Sequence, residues 1–126
     1  MAITPISWVT QLRVTNTNGF TASLNGNGVT AQTNADGHPD DPLVPTTAAG
    51  TLLSYGNVIT PGDIAFLNTD PTNFVEVGVQ VAGVFYPACK VLPGRVEKMY
   101  VPDGAVQLYA RANTASVRLQ YLLLDR

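Results

Sequence analysis

The chain has 126 residues, enough for one domain with a single core and too few for a second. Hydrophobic residues make up 45% and charged residues only 13%, about half the share of roughly a quarter usual in soluble domains. The net charge is −2 and the basic residues are scattered, so no electrostatic footprint for nucleic acid is present. A surface this poor in charge predicts that a partner covers part of it.

The N-terminal stretch MAITPISWVTQLRV lacks a positive region followed by an apolar core, and no run in the chain reaches membrane-spanning length. Cytoplasmic synthesis and folding are expected, without a membrane partner. Ser7 to Thr15 alternates, with Trp8, Thr10, Leu12 and Val14 on one face and Val9, Gln11, Arg13 and Thr15 on the other, which predicts a strand. Asn16 to Gly19 reads as a tight turn and Phe20 to Leu24 as the returning arm of a hairpin. Asn25-Gly26-Asn27-Gly28 reads as a second turn, with a further short strand at Val29 to Thr33.

From Asn34 to Gly50 the texture changes to Pro, Asp, Gly and Thr. A loop of this length is either an arm lying on a neighbour or a solvated excursion. Leu43 and Val44, between Pro42 and Pro45, favour the arm, because they form a short apolar extended segment suited to docking. Leu52 to Ile59, broken at Gly56, reads as a bulged strand, Pro61-Gly62-Asp63 as a turn and Ile64 to Leu67 as the next strand.

Val75, Val77, Val79 and Val81 share one face of a strand whose other face carries Glu76, Gly78 and Gln80. Gly83 ends it, and Phe85 to Val91 follows, with Phe85, Cys89 and Val91 on one side. Val96 to Val101 is a strand, and Val106 to Ala112 another, with Val106, Leu108, Ala110 and Ala112 inward. The last strand, Val117 to Leu124, sends Val117, Leu119, Tyr121 and Leu123 to the core. Leu122 and Leu124 lie on its other face, so that end needs cover on both sides. Eight to ten short strands without a helix predict a single all-β antiparallel domain over residues 1–126, a β-sandwich or jelly-roll-like barrel.

Candidate chemistry is sparse. The one cysteine, Cys89, excludes an internal disulfide and reads as a buried inert thiol. His38 meets carboxylates only in Asp36-Gly37-His38-Pro39-Asp40-Asp41, whose spacing matches neither a calcium loop nor a zinc helix, so a solvated acidic turn without metal is expected. Asp63, Asp70 and Asp103 fall in predicted turns and Glu76 and Glu97 on outward faces, with nothing to pair them across a cleft. No cofactor motif and no catalytic residue are identified. Tyr55, Tyr86, Tyr100 and Tyr109 could form a sugar platform if exposed. The apolar N-terminal positions Ile3, Pro5, Ile6 and Trp8, with Leu43, Val44, Leu122 and Leu124, are the candidate interface residues.

The succession VTNTNGFTASL, TPGDIAFLNTDPTNFVEVGV, FYPACKVLPGRVEKMYVP and YARANTASVRLQYLLLD resembles the small virion proteins of tailed bacteriophages and prophages. It covers Ser7 to Asp125 and is weakest between Asn34 and Gly50. Arg95 departs from it, since an acidic residue usually follows the Pro-Gly pair. The resemblance implies a non-enzymatic protein of the virion surface, made in the host cytoplasm. A capsid decoration or cement subunit, as a homotrimer bound to the major capsid protein, comes first. A tail or adaptor subunit is the alternative, and a carbohydrate-binding adhesion module is the reading from another class.

Overall fold

The computed structural model describes residues 6–15, 21–30, 37–102 and 106–125. The chain separates into two compact units, residues 1–35 and 36–126, where the sequence reading has one domain.

The first unit is an antiparallel ribbon of β1 (Ile6–Thr15) and β2 (Thr21–Thr30), in continuous register from Thr15 opposite Thr21 to Ile6 opposite Thr30. The predicted hairpin is present, but Asn25 to Gly28 does not turn. Gly26 pairs with Thr10 and Gly28 with Trp8, so the two short strands expected here are one. A regular partner strand overrides the turn preference of the Asn-Gly pairs.

The second unit is an all-β sandwich of two antiparallel sheets, as the periodicity predicts. Its strands are β3 (Gly37–Asp40), β4 (Leu43–Val44), β5 (Thr51–Leu52), β6 (Pro61–Asn68), β7 (Val75–Val81), β8 (Val84–Val91), β9 (Val96–Tyr100), β10 (Tyr109–Ala112) and β11 (Val117–Asp125). One sheet runs β5-β10-β7-β8, the other β3-β11-β6-β9, with β4 beside β3 along β11. Between them lie Ile64, Phe66, Val75, Val77, Val91, Ala110, Ala112 and the odd positions of β11 from Val117 to Leu123, all buried. Alternation in β10, in β11 and in β7 up to Val79 therefore reads the core correctly, whereas Val81 at the end of β7 is 59% exposed.

Of the predicted arm at 34–50, residues 37–50 are instead part of this sandwich, and 34–36 lie outside the described residues. Pro39 and His38 pair with Leu122 and Leu123, and Val44 pairs with Val117, which leaves Val44 only 2% exposed in the core. Two edge segments on β11 satisfy backbone groups that a free arm would leave to water. The chain then crosses the other sheet's outer face. Arg111 and Gln80 donate to the carbonyls of Ala48 and Ala49 at 3.0 and 2.8 Å. Gly50 packs so closely that a Cβ there would sit 2.8 Å from the Phe85 ring, at a φ of +79°.

Three further expectations are corrected. Pro61, Gly62 and Asp63 belong to β6, while Leu53, Tyr55 and Val58 are buried in a connection that is strand only at Thr51–Leu52. In β8, the register shifts between Val77 opposite Cys89 and Gly78 opposite Pro87, leaving Ala88 as the extra residue of a bulge. Phe85 therefore leaves the face of Cys89 and Val91. It is buried outside the central core, under Arg111, whose guanidinium lies 4.7 Å from its ring centroid.

Candidate interaction surface

Strand alternation gives the sheet β3-β11-β6-β9 a second, outer face. Its rows follow from register: Pro39, Leu122, Ala65 and Lys98 lie side by side, and Gln120, Leu67 and Val96 form the next row. All of these but Lys98 line an open groove of about 610 Å³, to which Asp40 and Asp41 add their carboxylates. Val96 is 65% and Leu122 45% exposed, so the groove is apolar and wet. Lys98 reaches across the face to Asp63, with 2.7 Å between Nζ and Oδ1, and the Asp63 side chain is only 8% exposed.

Of the eight candidate interface residues, Leu122 lies in this groove and Leu124 is half-buried beside Gly37 at the sheet's end. Leu43 is 57% exposed on β4, opposite Arg118. Val44 is removed from the set by its place in the core. Ile3 and Pro5 lie outside the described residues. Ile6 and Trp8 are described only as backbone, opposite Thr30 and Gly28. Pro39, Ala65, Leu67 and Val96 were not anticipated. The continuous apolar run from Ile64 to Leu67 was the available signal, since a strand apolar on both faces has two surfaces to cover.

Within the acidic stretch, Gly37 to Asp40 form a strand and not a turn. Asp40 accepts from Asp41 N–H at 2.8 Å, faces His38 Nε2 at 3.3 Å and lies 3.2 Å from the Tyr121 hydroxyl, which donates to the Ser54 carbonyl at 2.6 Å. The Asp41 amide holds the Asp40 carboxyl below its usual range; burial opposes it, and His38 and Tyr121 each add a smaller lowering effect. Burial, with Asp40 beside it, raises Tyr121. Among the described residues no cluster of His, Cys, Asp and Glu could hold a metal ion; Asp36 lies outside them.

The other carboxylates serve the fold. Asp70 accepts the amides of Thr72 and Asn73 at 2.8 and 2.6 Å, and Glu76 pairs with Arg111 at 3.0 Å. Asp125, buried, accepts from the amide and hydroxyl of Thr60. Glu97 pairs in register with Phe66 and so lies on the inner side of β9, not the outward face expected. Burial, then the charge of Glu97, pushes the Cys89 thiol up, away from the thiolate a reactive cysteine needs. Asp103 lies outside the described residues.

Asn68 is fully buried at the end of β6. Its Nδ2 donates to the carbonyls of Asn73 and Val91 at 2.8 and 3.0 Å, and its Oδ1 accepts from the Asp70 amide at 2.8 Å. Its backbone bonds Arg95 and Gly94, tying the Pro93-Gly94 turn to the loop at 68–73. These positions hold two sheets and two loops in place. Tyr86 and Tyr100 are about half exposed on β8 and β9, strands of different sheets, whereas Tyr55 is buried, its hydroxyl bonded to Val106 and Leu108.

No described helix is long and apolar enough to cross a membrane. No protein-family model matches the chain, and neither the curated proteins nor the solved structures contain a match.

Proposed function

We propose that this chain is a non-enzymatic structural protein of a tailed-phage virion: a capsid decoration or cement subunit that stabilises the head by bridging major capsid subunits. The observation that carries the reading is the apolar groove of Leu67, Val96 and Leu122 on the outer face of β3-β11-β6-β9. A sheet with one face on a core and the other exposing such residues gains by burying them, at about 25 cal/mol per Å² removed from water. The resemblance of the loop and strand motifs to small virion proteins points to the same role. Asp63, Asp70, Glu76 and Asp125 are engaged in ion pairs and hydrogen bonds within the fold, which suits a scaffold.

On this reading the chain acts by buried area and needs no cofactor, and its partners are the major capsid protein and further copies of itself, in a homotrimer. Imaging of particles carrying a density tag on this chain tests the assignment. Label over the head lattice is expected; label confined to the tail would replace decoration with the tail or adaptor role.

A further inference from the structure

The four edges of the sandwich are not equally protected. On β8, Pro87 and the bulge at Ala88 interrupt the outer edge, and β5 has only two residues. On β11's far side, β3 carries Pro39 and is separated from β4 at Asp41-Pro42. These are the devices that keep sheets from pairing edge to edge. β9 has neither a proline nor a bulge: its register with β6 is unbroken from Val96 to Tyr100, and of its two charges Glu97 lies on the inner side while Lys98 is held by Asp63.

The direction of its free groups follows from two hydrogen bonds. Asn68 N–H donates to the Arg95 carbonyl at 3.1 Å, and Val101 N–H donates to the Gly62 carbonyl at 2.9 Å. Odd positions of β9 therefore bond β6, and the backbone N–H and C=O of Val96 and Tyr100 point to the open edge. Among the described strands β9 pairs with β6 alone.

The first unit presents the complementary feature. Two ten-residue strands form a ribbon about 33 Å long. A two-stranded ribbon by itself is marginal in water. Arg13 is the one charge in its strands, and neither contains proline, so its edges carry little protection. Of the two edges, β1 is the better donor. It is rich in Val, Thr and Ile, whereas β2 carries Gly26 and Gly28, which weaken a strand.

We infer that copies of this chain assemble by strand addition, with β1 of one copy's ribbon pairing onto the β9 edge of the next. This deepens the proposed function, on which it rests for its biological role. The contact is heterologous, a donor edge on an acceptor edge, so it propagates from copy to copy and closes into a ring when the rotation allows. Main-chain hydrogen bonds supply the affinity, and the added strand's alternate side chains lie next to Val96 at the groove.

The test uses the full-length chain. Proline at an even position of β9 removes an N–H from the open edge without removing one bonded to β6, so Val96→Pro and Tyr100→Pro block addition selectively. Light scattering over a concentration series should find wild-type oligomers, and monomers for both variants with wild-type circular dichroism. Should the proline variants fail to fold, copies carrying Cys89→Ala with Gln11→Cys are mixed with copies carrying Cys89→Ala with Tyr100→Cys. A disulfide between the two kinds of copy is then expected. A monomeric wild type, an oligomer insensitive to both folded proline variants, or failure of the mixed cross-link would overturn the inference. A monomer that still binds heads would overturn strand addition alone; an oligomer with the expected sensitivity that ignores heads would overturn the capsid reading alone.

Discussion

A Cβ built on Gly78 would stand 2.0 Å from the carbonyl oxygen of Tyr86. The bulge in β8 presses its backbone onto β7 at this point, and neither strand can retreat without opening the ladder. Gly78→Ala is therefore expected to destabilise the sandwich by about 3 kcal/mol, the upper end for overpacking. The midpoint of urea unfolding should fall accordingly, with the slope unchanged.

Asn68→Ala should be comparably damaging. It leaves the carbonyls of Asn73 and Val91 without their side-chain donor and removes the acceptor of the Asp70 amide. Buried groups left unsatisfied cost about 1–3 kcal/mol each, so a total loss of about 3 kcal/mol is expected in equilibrium unfolding.

Ala82 and Gly83, both at positive φ, make the two-residue turn between β7 and β8. Ala82, at a φ of 50°, pays about 1 kcal/mol for a left-handed conformation. Ala82→Asn creates the Asn-Gly pair such hairpins prefer. A stabilisation of about 1 kcal/mol, seen as a higher melting temperature, is expected.

Acid should weaken the fold through Asp70 and Asp40. The amides of Asn73 and Thr72 lower the Asp70 carboxyl, and the Asp41 amide lowers that of Asp40. A carboxyl depressed in the folded state contributes stability above its unfolded pKa of about 3.9, and that contribution is lost as pH falls through the folded value. Urea midpoints should therefore drop below about pH 4. Asp70→Asn, which keeps an acceptor for the loop amides, should show a shallower acid loss.

Where alternation faces a regular partner, as in β7, β10 and β11, the sequence displays both strand and core. Local signals mislead where pairing overrides them. Asn25 to Gly28 has turn chemistry but a straight partner in β1, and Pro61 can begin a strand because the first position tolerates a missing N–H. The prolines near Leu43 suggest a free arm, yet Pro39 fits the β11 edge. The bulge at Ala88, which moves Phe85 to the outer face, depends on a register that only the partner strand defines. Of the candidate surface, Leu122 was legible because it broke an otherwise polar face. Pro39 and Val96 join it only through neighbours far away in sequence.

Leu122→Asp places a charge at the centre of the groove while sparing the core, since Leu122 faces out between buried Tyr121 and Leu123. Stability should change by within about 0.5 kcal/mol, as at other surface positions. The most direct measurement is co-sedimentation of the purified chain with phage heads lacking it. Saturable binding by the wild type, reduced at least tenfold in Leu122→Asp with unchanged thermal unfolding, is expected. Equal binding by both proteins, or none by the wild type, would contradict a role for this face in holding the chain to the capsid.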